Sequence, residues 1–117
     1  MRAAIAVAVL VGSLAFPAQS QSADLTGTYV MEGRMDGPRG AAYKGECELR
    51  QNGAYYQVFC VNGNDRYTGK GMVSGETFSL YLGEYLLVYR IAPDRRLAGT
   101  WVHIASDATG KETLTPK

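Results

Sequence analysis

Gly45-Glu46-Cys47-Glu48-Leu49-Arg50-Gln51-Asn52-Gly53-Ala54-Tyr55-Tyr56-Gln57-Val58-Phe59-Cys60-Val61 is the stretch that decides the fold. Two alternating runs flank Asn52-Gly53, a dipeptide that tolerates the positive φ of a tight hairpin turn. In the first run Tyr43, Gly45, Cys47 and Leu49 share one face, and Lys44, Glu46, Glu48 and Arg50 share the other. A strand face made of charges belongs in water. The chain's two cysteines lie one in each arm. An even-numbered loop puts both on the apolar face with Leu49 and Val58. A four-residue loop over 52–55 sets them directly opposite; a two-residue loop makes them diagonal neighbours. The hairpin therefore predicts a Cys47–Cys60 disulfide.

A disulfide belongs to an oxidising compartment, and the start of the chain agrees. Met1-Arg2 is positive, Ala3 to Phe16 is apolar, and Pro17-Ala18-Gln19-Ser20 ends in small residues. This order predicts a signal peptide over residues 1–20, too short for a spanning helix. No cysteine stands at the cleavage region to take a lipid. The expected location is the periplasm or the exterior. Removing 20 of 117 residues leaves 97, one domain over residues 21–117. Without Arg2 the remaining chain has 11 basic and 11 acidic residues. That balance argues against nucleic acid or an anionic membrane surface as partner. No run in residues 21–117 is apolar enough for a membrane-spanning helix.

Turn signals divide the rest into short strands. These are expected over 27–33, 41–51, 55–61, 65–73, 76–82, 85–91, 97–104 and 111–115. Arg34 to Gly40 forms the longest irregular stretch. No segment holds a helical period. The expected fold is all-β, an eight-stranded antiparallel up-and-down barrel, because closing the meander removes its edges. A two-sheet sandwich is the alternative.

A motif recurs in Leu25-Thr26-Gly27-Thr28-Tyr29 and Leu97-Ala98-Gly99-Thr100-Trp101, with relatives at Tyr43-Lys44-Gly45 and Tyr67-Thr68-Gly69. Glycine inside a strand leaves room for a neighbouring ring or backbone, so these read as barrel corners. Gly27-Thr28-Tyr29 and Gly99-Thr100-Trp101 resemble the Gly-x-Trp corners of lipocalins and avidins. Here the Trp stands in the penultimate strand, and the polar biotin contacts of avidins have no counterpart. The wider pattern, from Gly27 to Gly110-x-Glu112-x-Leu114, resembles small exported bacterial β-barrel proteins of uncharacterised function. These resemblances imply a barrel and export, and bring no activity or ligand.

Catalytic chemistry has little to stand on. His103 is the single histidine, and Ser74, Ser79 and Ser106 lack a nucleophile-elbow context. Glu46 and Glu48 share a face with Lys44 and Arg50, as on a solvated surface rather than in a carboxylate pair. No metal-ligand spacing or phosphate-cradling loop occurs. The expectation is a protein that is not an enzyme and needs no cofactor or metal. Tyrosine stands out, eight in all. Alternation turns Tyr43, Tyr67 and Tyr89 inward with Trp101, while Tyr55, Tyr81 and Tyr85 fall outside or at a rim. Tyr43, Tyr67, Tyr89 and Trp101 are thus the candidate site for a small apolar or amphipathic ligand. Such a site predicts a cavity of roughly 300 Å³ or more. The second candidate is a protein partner, such as an extracellular enzyme to be inhibited or another envelope protein. It would be met by Arg34, Met35, Asp36, Pro38 and Arg39.

Overall fold

The computed structural model describes residues 24–117. The expected signal peptide therefore lies outside the described residues. Eight strands follow one another: β1 Gly27–Met35, β2 Ala42–Asn52, β3 Tyr55–Asn62, β4 Asp65–Ser74, β5 Thr77–Leu82, β6 Tyr85–Ile91, β7 Leu97–His103 and β8 Thr109–Pro116. Each pairs antiparallel with the next, and β1 pairs with β8, so one sheet closes into a barrel. The sandwich alternative is not realised.

Four hairpins use the same device. The pairs Asn52↔Tyr55, Asn62↔Asp65, Ser74↔Thr77 and Leu82↔Tyr85 each close on two residues. The first of the two is always glycine, at φ between 61° and 65°. A positive φ at the first central position alone is the sign pattern of a type II′ turn. The first turn is therefore Gly53-Ala54, one residue later than an Asn52-Gly53 centre. This shift gives a two-residue loop and still pairs Cys47 directly with Cys60.

The Cys47–Cys60 disulfide is formed across that pair, with Cα atoms 4.0 Å apart. Both cysteines are fully buried. The Cys47 sulfur rests 3.8 Å from Sδ of Met31. Tyr29, Leu49, Phe78, Tyr89, Leu97 and Leu114 complete the densest part of the interior. Lys44, Glu46, Glu48 and Arg50 face water. The outside of β5 to β7 is different: Tyr81, Leu86, Val88 and Val102 are each about half exposed there. The register sets Tyr81 beside Leu86 and Leu86 beside Val102.

The two ends differ. At one, Leu25 plugs the barrel. Tyr29 Oη donates to its carbonyl at 2.7 Å, and its N–H donates to Tyr56 Oη at 3.1 Å. Arg95 Nη1 reaches over to the Asp24 carbonyl at 3.2 Å. The connections 36–41, 63–64, 83–84 and 104–108 surround the other end. Here β1 runs two residues further than expected. Arg34 and Met35 belong to the strand because β8 supplies partners, Lys111 and Gly110.

The disulfide closes a short loop within a small domain, so it limits the unfolded chain strongly. Replacing both cysteines with serine should lower stability by about 3 kcal/mol. For a domain of this size that is a fall in Tm of roughly 10–20 °C by calorimetry. An unchanged Tm on reduction would show that the bridge carries no stability.

Candidate functional site

The open end holds a polar cluster that the register explains. Tyr43 pairs with Gly33, Gly33 with Glu112, Glu112 with Gly99, and Gly99 with Tyr89. These five residues of β2, β1, β8, β7 and β6 form one lateral row. Glu112 alternates in step with Gly110 and Leu114, both buried, so its carboxyl also points inward. The two glycines flank it without side chains. A Cβ on Gly33 would stand 2.2 Å from Tyr43 Oη, so the ring crosses β1 only because Gly33 has no side chain. In the same way the Trp101 indole lies over Gly110, where a Cβ would stand 2.3 Å from Cζ2.

Tyr43 Oη donates to Glu112 Oε1 at 2.8 Å, and Tyr89 Oη donates to Oε2 in a short hydrogen bond. Glu112 is the one charged residue in the described interior, 6% exposed. Burial pushes its carboxyl above the usual carboxylate value, and the Tyr89 and Tyr43 hydrogen bonds pull against that rise. Burial, then the neighbouring Glu112, raises both tyrosines as well, so both keep their protons. The Trp101 N–H is buried with no hydrogen-bond partner. It lies close enough to Tyr43 to oppose that tyrosine's rise.

Above the cluster a cavity of about 120 Å³ opens at the loop end. Tyr43, Tyr67, Trp101 and Glu112 line it with Met31, Leu82 and Leu87, and Met35 and Asn62 also border it. Tyr85 forms a corner between two neighbours. Its ring centroid is 6.0 Å from Tyr67 and 5.3 Å from Trp101, nearly perpendicular to each. The cavity is smaller than the 300 Å³ expected, because Tyr29, Phe78 and Tyr89 fill the barrel below it.

The structure thus brings Tyr43, Tyr67 and Trp101 to one cavity. Tyr89 is inward as expected, but it is 1% exposed, lies behind Glu112 and does not line the space. Glu112 is a site residue that the sequence did not single out, and Tyr85, expected outside or at a rim, packs against the core and lines the cavity. For Glu112 the available signal was its shared parity with Gly110 and Leu114.

The loop candidates lie at the same end but are partly committed to the barrel. Asp36 accepts from Thr109 Oγ1 at 2.9 Å and meets Lys111 Nζ at 3.5 Å. Arg34 Nη1 donates to the Gly40 carbonyl at 2.9 Å. Pro38 and Arg39 remain exposed at the crest. His103 is also at this rim, with Nδ1 2.8 Å from Ser106 Oγ and Nε2 2.9 Å from Glu84 Oε1. Ser106 Oγ additionally accepts from the Ala108 N–H, so the hydroxyl ties its own turn together. Among the described residues, no three His, Cys, Asp or Glu side chains converge as a metal site. Nor does any helix there have the length and apolarity to cross a membrane. No family model matches the chain, and no curated protein does.

The raised Glu112 pKa has a definite sign. The folded protein holds a proton that the unfolded chain releases near 4.5. The stability it contributes is full below that pH and is lost as pH rises through the folded value. A tenfold gain in proton affinity on folding corresponds to about 1.4 kcal/mol. Glu112→Gln should therefore remove a downward slope. In paired thermal melts the stability of Glu112→Gln relative to the parent should rise with pH from 4.5 upward. The opposite slope would mean that the carboxylate is favoured in its charged form.

Proposed function

We propose that the protein is an exported, non-enzymatic binding protein that takes the compact end of an amphipathic small molecule into the open end of its barrel. The observation that carries this reading is the cavity itself. The described interior is densely packed from the Leu25 plug up to Tyr89, and a space opens where aromatic rings and one carboxyl meet at the mouth. An apolar wall with a few convergent polar groups is the usual make-up of a small-molecule site. At about 120 Å³ the space suits a compact head group, with the rest of the ligand outside the rim. The likeness to lipocalin and avidin corners and to small exported bacterial barrels supports export and the barrel, not a particular ligand. The buried disulfide suits an oxidising compartment. The protein-partner reading would rest on Pro38 and Arg39.

Trp101 is the single tryptophan and lines the cavity, so its emission reports occupancy. Titration with 1-hexanol should give a saturable change with Kd on the order of 1 mM or tighter. Tyr67→Ala removes one wall at a half-buried position and should weaken that binding at least fivefold, with Tm within a few degrees of the parent. Native mass spectrometry of protein purified from its own compartment should show a retained small mass. No saturable change together with no added mass would overturn the reading.

A further inference from the structure

We infer that the cavity selects a compact organic cation, a methylated ammonium head group, over neutral or anionic groups of the same shape. This rests on the reading of the mouth as a ligand site and names the ligand's chemical class.

Three observations point the same way. The first is charge: among the described residues that line the cavity, Glu112 is the one carboxyl and none is Lys, Arg or His. Once Glu112 is ionised, above its raised titration range, an entering anion meets like charge and a cation meets opposite charge. The second is hydrogen bonding. The hydroxyl protons of Tyr43 and Tyr89 are both committed to Glu112, and the Trp101 N–H is out of reach of the space. What the inner end presents is lone pairs. Each carboxylate oxygen accepts one tyrosine proton and keeps capacity for more. A neutral acceptor group must turn to the Tyr67 and Tyr85 hydroxyls or the Asn62 amide higher in the cavity, whereas a positive group needs no donor.

The third is ring geometry. Tyr85 stands nearly perpendicular to both Tyr67 and Trp101, at 80° and 88°. Both contacts are edge-to-face, and His103 packs on Tyr85 as well, 4.8 Å between ring centroids, so the aromatic surface offered to the cavity is mainly that of Tyr67 and Trp101. Cations are drawn to aromatic faces, Trp most strongly, and the attraction grows when the site is dry. A corner of rings beside a carboxylate is the arrangement that holds methylated ammonium ions. Size agrees, since about 120 Å³ admits a compact head and excludes a drug-sized body.

Three probes of matched shape test the inference: choline, its uncharged carbon counterpart 3,3-dimethylbutan-1-ol, and the anion 3,3-dimethylbutanoate. Trp101 emission, checked by calorimetry, reads each titration of the full exported chain. Choline should bind at least tenfold tighter than the alcohol, and the anion should bind weakest. Glu112→Gln keeps the side-chain volume and removes the charge. It should cut choline affinity at least tenfold and bring the ratio of choline to alcohol affinity down to about one. If that variant does not fold, the three probes on the parent protein decide alone. Equal or tighter binding of the alcohol would overturn the cation class while leaving the amphiphile site standing. The same holds if 1-hexanol binds and choline does not. If none of the four molecules binds, the site reading and the cation class fall together.

Discussion

Everything inside this barrel depends on the ladder that joins its two ends. β1 and β8 pair from Tyr29↔Pro116 to Met35↔Gly110. Without that seam the sheet would have two open edges and a half-exposed apolar face. With it, residues far apart in sequence become lateral neighbours. Tyr43 and Glu112 are 69 residues apart and reach each other across Gly33 of the seam. The candidate site is thus made by closure itself, and no single hairpin contains it.

The buried carboxyl is hard to explain as a stabilising feature. Removing such a group from water costs several kcal/mol before its partners contribute. Two tyrosine donors offset part of that, and the remaining cost shows as a raised pKa. An apolar side chain at residue 112 would fill the same space without this penalty, as replacements of buried ionic groups often do. Gly33 adds to the cost, since glycine inside a strand gives up packing and chain order. Two local rules are broken at one level of the barrel, and such breaches concentrate where a protein acts on something else.

The closed barrel was legible because the alternation was unambiguous. Four outward charges on β2 fix its face, and a buried face on every strand fixes the register of the rest. The disulfide followed from the same parity. The centre of the turn did not, because Gly53 can serve as either central residue, and only the pairing of Asn52 with Tyr55 separates the choices. The end of β1 was hidden too, since Arg34 and Met35 complete the strand with partners on β8, some 75 residues away, as well as beside β2. Parity assigned Tyr89 to the interior but could not say how deep it lay. Glu112 was the harder case. Lys111-Glu112-Thr113 is polar throughout, and the one signal for which of the two adjacent charges turns inward is the parity Glu112 shares with Leu114. β6 shows the converse, where Leu86 and Val88 look like core and are half exposed.

The size of the cavity is a consequence of strand number. Eight strands leave an interior that side chains nearly fill. The space at the mouth cannot widen without breaking ladder bonds all round the sheet. One wall is stiffer still: Met31 lines the cavity and is backed by the Cys47 sulfur at 3.8 Å, so the covalent staple stands directly behind the site. A pocket held this way loses little further freedom when filled, which lowers the entropic cost of binding. It also sets its selectivity. A rigid space of fixed volume discriminates by the size and charge of the group that enters, and leaves whatever projects beyond Met35 and Asn62 largely unread.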